Sequence, residues 1–213
     1  MIQIGQKTIQ IWLVRHGQTE GNKLQILQGQ DDGQLSALGV KQAEALGKRI
    51  KKENFDVVYV SDLTRTKQTF ELIQKHHSKQ MMPNFEPLLR EKHAGQSLAL
   101  PKKLAAEQGV DIRVFKPDQG ESWIDVNNRA QQMLQLIIQR CNDLKQNNIT
   151  VLLVTHGGFI MEFMNQINYM INKKQPVYNN SALNCSITIV KYILPKGEVK
   201  IVTQNDASHI QKL

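Results

Sequence analysis

The chain has 213 residues, of which 40% are hydrophobic, 22% charged and 6% aromatic; this is a globular composition that excludes a disordered tail and a fibrous repeat, and the length suits one large domain. Lysine and arginine outnumber aspartate and glutamate 27 to 19, for a net charge of +8. Such an excess points to an anionic partner (nucleic acid, a membrane surface or a phosphorylated metabolite), with plain solubility as the other reading.

In chain order, Ile9–Val14 is an apolar run that predicts a buried strand. Ser36 is placed to cap a helix over Ala37–Lys52, with Leu38, Ala45, Leu46 and Ile50 on its apolar face. Asp56–Val60 predicts a second strand and Leu63–Lys79 a helix. Pro83, Pro87, Pro101 and Pro117 punctuate an irregular middle, with a short helix near Lys102–Gln108. Ser122–Lys145 reads as a long amphipathic helix that turns Val126, Ala130, Met133, Leu134, Ile137 and Ile138 inward. Ile149–Val154 is the most strand-like run, Phe159–Ile171 is helical, and Ser186–Leu194 with Glu198–Thr203 forms a hairpin around Pro195 and Gly197. This alternation predicts an α/β layered fold with a largely parallel sheet, whose active site lies beyond the carboxyl ends of the strands.

Cys141 and Cys185 are far apart and form no C-x-x-C pair. That argues against a structural zinc site or a disulfide framework and makes both buried thiols of a reducing compartment. No apolar run approaches the roughly 18 residues that span a bilayer, and Met1–Gln10 alternates without the apolar core of a signal peptide, so a cytoplasmic location is expected.

Two segments share a pattern. Ile9–Val14 runs into Arg15-His16-Gly17, and Ile149–Val154 into Thr155-His156-Gly157-Gly158. A lone histidine at a strand end is more often a satisfied structural residue, but neighbouring parallel strands would bring two such rings together. Asp56–Val60 delivers Arg65 to the same edge. Two arginines and two histidines converging on one place need an anion to neutralise them, and a phosphoryl group fits because a guanidinium binds two of its oxygens at once. His76 and His77, adjacent at a helix end, read as solvated cations near the helix C-terminus. Neither a metal-binding H-E-x-x-H nor a phosphate-binding G-x-x-x-x-G-K-[ST] occurs.

Arg15-His16-Gly17 followed by Asn22 resembles the R-H-G-x-x-x-x-N signature of the histidine phosphatase superfamily, the phosphoglycerate-mutase-like proteins. The likeness continues through Leu27-Gln28-Gly29, Leu35-Ser36-Ala37-Leu38-Gly39, Ser61 to Thr69, Leu89-Arg90-Glu91-Lys92-His93-Ala94-Gly95, Gly120-Glu121-Ser122, Thr155-His156-Gly157, Asn184-Cys185-Ser186 and Asn205 to His209. It implies a three-layer α/β/α sandwich with a mostly parallel central sheet, in one domain over 1–213 with a variable substrate-specificity segment at about 92–119. It also implies roles. His16 is the nucleophile that forms a phosphohistidine, its other ring nitrogen fixed by a backbone carbonyl. Arg15, Arg65 and His156 hold the phosphoryl oxygens, and Glu91 protonates the leaving oxygen and then activates water. Asn22, Gln28, Gly29 and Gly157 border the substrate, and no metal or cofactor is required.

Mutases of the superfamily resemble one another in a long insertion with paired arginines after the acid. Here the 28 residues between Glu91 and Gly120 contain Arg113 but no paired arginine, which favours hydrolysis over a phosphoglycerate-mutase-type transfer; a protein phosphatase is the other alternative. Details around Gln28 and Val114-Phe115-Lys116-Pro117 resemble the TIGAR-like branch, which acts on fructose-2,6-bisphosphate and related sugar phosphates. Gln18 stands where the family often has glutamate after R-H-G, and Ala94 where it often has an aromatic. Lys102, Lys103, Arg113 and Lys116 either bind a second phosphate or form a solvated basic loop. Residues 1–106 carry 16 cations and 10 anions, and residues 107–213 carry 11 and 9. The surplus therefore lies with Arg15, Arg65 and Lys102-Lys103, which favours a phosphorylated small molecule over nucleic acid as the partner. Low aromatic content and the lack of any Lys/Arg run beyond two speak against a basic binding module for nucleic acid or acidic proteins, and no oligomeric state is expected in particular.

Overall fold

A computed structural model describes residues 6–95, 107–173 and 182–213. Strand β1 is Lys7–Arg15, followed by the short helix α1 (Glu20–Lys23), α2 (Ala37–Arg49), β2 (Val57–Val60), α3 (Thr64–His76), β3 (Pro83–Phe85) and a 3₁₀ turn at Pro87–Leu89. After the variable segment come α4 (Trp123–Asn142), β4 (Asn148–Thr155), α5 (Gly157–Asn172), β5 (Ile187–Leu194) and β6 (Glu198–Asp206). The strands form one sheet in the order β3-β2-β4-β1-β5-β6. The first four are parallel, while β5 runs antiparallel to β1 and β6 antiparallel to β5.

The sheet is apolar on both faces because helices cover both. Ile9, Ile11 and Leu13 of β1 join Val151 and Leu153 of β4 against Val126, Met133 and Ile137 of α4 and Phe159 and Phe163 of α5. The alternate residues Trp12, Val14, Leu152 and Val154 point the other way, onto Leu46 and Ile50 at α2 and Phe70 and Ile73 of α3. A period-two alternation with both sets buried produces the continuous apolar runs that mark a covered parallel sheet. The expected three layers are present.

Each element predicted within the described residues exists, with ends shifted by a few residues. Ser36 caps α2 through its side chain, which accepts from the Gly39 amide. The buried face of α2 differs from the expected one: Leu38 is exposed and Ala45 half-exposed, while Gly39, Gln42, Ala43, Leu46 and Gly47 are buried. Glycines, not leucines, set the rotation of this helix. A side chain at Gly39 would overlap the Gln18 carbonyl, and one at Gly47 would lie 3.0 Å from the Ile73 backbone, so the helix is turned to let these backbones meet. On α4, Cys141 takes an inward place while Ile138 is only partly buried. The predicted helix near Lys102–Gln108 falls mostly outside the described residues. His76 and His77 are half-buried rather than fully solvated, and the His77 ring places Nε2 2.9 Å from the Glu53 carbonyl and Nδ1 2.9 Å from the Lys79 carbonyl. The turn after α3 folds back on the loop before β2, which gives the ring a partner other than water. Both cysteines are buried and free. No described helix is long and apolar enough to cross a membrane.

Candidate active site

The parallel register of β1 and β4 sets Arg15 opposite Thr155, so the residues that follow, His16 and His156, emerge side by side. Their ring centroids are 5.2 Å apart. The bend after β1 is tight: the amide of Gly17 donates to Thr69 Oγ1 at 3.0 Å, and a side chain there would sit 2.6 Å from the Gly39 carbonyl. On the far flank, the Cys185 amide donates to the Arg15 carbonyl at 3.0 Å, and Asn184 Nδ2 donates to the His16 carbonyl at 3.0 Å. The entry to the antiparallel β5 thus braces the loop that carries His16.

His16 is buried, and its Nδ1 lies 2.7 Å from the Gly17 carbonyl. A carbonyl can only accept, so Nδ1 carries the proton and the lone pair is on Nε2. The two nitrogens of His156 are also assigned. Arg65 Nε donates to Nδ1 at 3.2 Å, which makes Nε2 the protonated nitrogen, 2.9 Å from Ser61 Oγ. Burial, reinforced by Arg15 and Arg65, holds the pKa of His16 well below its ordinary value, and burial together with Arg65 does the same to His156. Two neutral imidazoles therefore sit between two guanidiniums.

Those guanidiniums are themselves withdrawn from water. Arg65 is 1% exposed and gives Nη2 to the Gly29 carbonyl at 2.7 Å and Nη1 to the Asp31 carbonyl at 2.9 Å. Arg15 gives Nη1 to the Ala182 carbonyl at 2.6 Å, while its buried Nε has no partner among the described residues. Burial lowers the pKa of both below that of free arginine, though a guanidinium stays charged at neutral pH. Opposite them stands Glu91: its Oε2 accepts from the Gly158 amide in the first turn of α5 at 3.0 Å, and its Oε1 from the Lys92 amide at 2.9 Å. An unprotonated ring nitrogen, two guanidiniums, an unpaired buried donor and a carboxylate together are groups that can hold a phosphoryl group, receive it and move a proton.

The other residues singled out from sequence fall as follows. Asn22 belongs to the capping box of α1 and accepts from Asn184 Nδ2 at 3.2 Å, so it ties α1 to the β5 entry. Gln28 Nε2 donates to Thr19 Oγ1 at 2.7 Å, and Gly29 joins the site through the carbonyl that accepts from Arg65. Gly157 is buried as the first residue of α5. His93 accepts from the Gly95 amide through Nδ1, the behaviour of a turn residue. Arg113 forms a bidentate pair with Glu162, two bonds of 2.9 Å, and Lys116 pairs with Asp125 at 3.1 Å. Both are thus partnered within the protein, whereas Lys102 and Lys103 lie outside the described residues.

Sequence reasoning assigned no role to Ser61, Lys92, Glu121, Trp123 or Arg129. Lys92 is 8% exposed, with Nζ 5.7 Å from the Trp123 ring centroid, and burial lowers its pKa. One signal was available for Arg129: it is a cation immediately before the inward-facing Ala130, on the margin of an apolar helix face.

The profile of the histidine phosphatase superfamily (branch 1) matches residues 11–206. The chain is 32% identical over 220 residues to the probable phosphoglycerate mutase GpmB of Proteus mirabilis, covering 95% of each. It is 28% identical to the broad-specificity phosphatase YOR283W of Saccharomyces cerevisiae, over 95% of this chain and 87% of that one. Fructose-2,6-bisphosphatase TIGAR B of Danio rerio is 36% identical over 140 residues, which cover 62% of this chain and 54% of that protein. Among solved structures, Bacillus stearothermophilus YhfR superposes with a TM-score of 0.78 at 25% identity, over 95% of this chain and 100% of that chain.

Proposed function

The chain belongs to the histidine phosphatase superfamily and is a phosphatase, and from that premise we propose that it hydrolyses phosphate monoesters of small metabolites through a phosphohistidine formed on His16. The observation that carries this reading is the pair of imidazoles of His16 and His156, their centroids 5.2 Å apart, set beside the half-buried Arg15 and the buried Arg65. In the first step His16 Nε2 attacks phosphorus, the bond to the leaving oxygen breaks, and that oxygen takes the proton of Glu91. In the second, Glu91 takes a proton from water as the water oxygen attacks phosphorus. The phosphorus–nitrogen bond breaks, and inorganic phosphate departs with both groups restored. Arg15 and Arg65 neutralise the charge on the phosphoryl oxygens. His156 supports the site as a neutral ring, since charging it would place a third cation beside two guanidiniums. Asn22, Gln28, Gly29 and Gly157 form the wall around the phosphoryl group.

Hydrolysis is favoured over transfer to a second hydroxyl by the state of Arg113. The single arginine of the segment between Glu91 and Gly120 is held by Glu162, so it is not free to grip a second charged group of a substrate. We take 92–119 as the specificity segment of one domain spanning 1–213. Lys102 and Lys103 are assigned to a second phosphate, with fructose-2,6-bisphosphate or a related sugar phosphate as substrate; the partial likeness to TIGAR B supports that choice. The test is hydrolysis of an aryl phosphate without added metal, followed by a panel of sugar bisphosphates, phosphoglycerates and phosphopeptides. His16→Ala should abolish turnover, and retained turnover in that variant would falsify the nucleophile assignment. Lys102→Ala with Lys103→Ala should raise KM for a bisphosphate and leave that for a monophosphate unchanged.

A further inference from the structure

Glu91 lies beyond the 3₁₀ turn at Pro87–Leu89, in a stretch with no regular secondary structure of its own. Something else has to hold it, because a proton donor displaced by about 1 Å loses on the order of 100-fold in rate. The backbone carbonyls of this stretch show what does. Leu89 accepts from Thr155 Oγ1 at 2.6 Å, which pins one side to the end of β4, one residue before His156. The neighbouring carbonyls turn the other way and converge on one side chain from α4. Arg129 Nη1 donates to Leu88 at 2.6 Å and to Arg90 at 2.9 Å, and Nη2 donates to Glu91 at 3.3 Å.

The remaining donors of Arg129 go to Glu121: Nε to Oε1 at 2.7 Å and Nη2 to Oε2 at 2.9 Å. All five N–H groups of the guanidinium are thereby engaged. Glu121 in turn grips the far side of the same stretch. Its Oε2 accepts from the His93 amide at 2.8 Å, and its own amide donates to the His93 carbonyl at 3.0 Å. Gln30 Nε2 adds a bond to the Glu91 carbonyl at 3.1 Å. Arg129 and Glu121 are 16% and 19% exposed, so the pair is shielded enough for its bonds to constrain geometry.

We infer that Arg129, oriented by Glu121, is a positioning residue for Glu91, fixing the backbone on either side of it so that its carboxyl meets the leaving oxygen. This rests on the reading of Glu91 as the proton donor. A fork is required, because three carbonyls and a carboxylate surround one group; the three rotating donors of a lysine cannot reproduce that plane.

The experiment compares kcat/KM, which reports events up to departure of the leaving group, for an alkyl phosphate and for 2,4-dinitrophenyl phosphate. The alkyl oxygen needs a proton to depart, whereas the dinitrophenolate departs without one. Arg129→Gln, Arg129→Lys and Glu121→Gln are measured beside Glu91→Gln. The expected result is a fall of about 30-fold for the alkyl ester and about threefold or less for the dinitrophenyl ester in Arg129→Gln. The same direction is expected in the other two, and the double variant Arg129→Gln/Glu91→Gln should be no worse than Glu91→Gln alone. Equal losses on both esters in all three variants overturn the inference, since misfolding or a general structural role lowers both alike. If Glu91→Gln itself fails to discriminate between the esters, the assignment of the acid falls instead, a different failure.

Discussion

Gly158→Ala isolates the carboxylate from the rest of the site. The three atoms nearest to a methyl added there are Glu91 Oε1, which it would overlap, and two Trp123 ring carbons 3.0 Å away. Trp123 is packed beneath Lys92, so the carboxylate is the group that yields. To reach ordinary van der Waals separation it must retreat by about 1 Å or more, and it then gives up the bond of 3.0 Å from the Gly158 amide. With Glu91 as the proposed general acid, a displacement of that size corresponds to about 30- to 100-fold in kcat/KM, or about 2–3 kcal/mol. The helix should not suffer, since alanine is worth up to about 1 kcal/mol more than glycine within α5. The assay is kcat/KM on an alkyl phosphate together with competitive inhibition by orthovanadate and the melting temperature. The expected outcome is a large loss of turnover, an inhibition constant changed by no more than about threefold, and a melting temperature equal to or above the parent's. Wild-type turnover of the alkyl ester in a folded Gly158→Ala protein would refute the reasoning, because Glu91 would then not need the place where the structure holds it.

Other consequences can be checked separately. Because burial and two arginines depress the folded pKa of His16 and His156, their imidazole ¹⁵N shifts should stay constant from pH 8 down through about 6.5, where a free histidine titrates; movement in that interval would contradict the neutral pair. The linkage has a definite sign: the unfolded chain takes up protons there that the folded one refuses, so stability should decline as pH falls below about 6.5. Glu121 feels burial most strongly, yet the bonds from Arg129 and the His93 amide outweigh it and set its pKa below the ordinary value. Its contribution should thus be present at neutral pH and be lost only below the usual carboxylate range, and Glu121→Gln should lessen the stability lost on acidification. Arg113→Ala removes two bonds to Glu162, which is wholly buried, while Asn127 and Asn165 continue to donate to it. Arg113 is 39% exposed, so the cost is put at about 2 kcal/mol, below the roughly 3–5 kcal/mol of a fully buried pair, and melting should drop by about 4–8 °C.

The sheet was legible because both of its faces are covered, which leaves continuous apolar runs that end at His16 and His156. The juxtaposition at the candidate site was legible where a residue follows a strand end directly, as at Arg15-His16 and Thr155-His156, or follows within a turn, as at Arg65. It was hidden where the partner is a backbone carbonyl. Nothing in residue type announces that Arg65 is held by Gly29 and Asp31, or that Arg129 gathers the carbonyls of Leu88, Arg90 and Glu91. The orientation of α2 escaped for a related reason: an apolar stripe marks the side that avoids water, whereas glycines mark the side that can come closest. Arg113 and Lys116 looked available for a ligand because their partners, Glu162 and Asp125, are distant in sequence from the former and unremarkable beside the latter.

The order of the strands also governs when the chain can fold. β1 leaves the ribosome first, yet both of its neighbours come from the other end: β4 begins at Asn148 and β5 at Ile187. At about 5–20 residues per second, β1 waits roughly ten seconds or more with its apolar runs unpaired. Early compaction must therefore rest on local pieces such as α2 with α3, and the sheet closes late around its oldest strand. His16 and His156 meet only at that closure, so activity should arise in one late step of synthesis and serve as a report that the central strand has found its place.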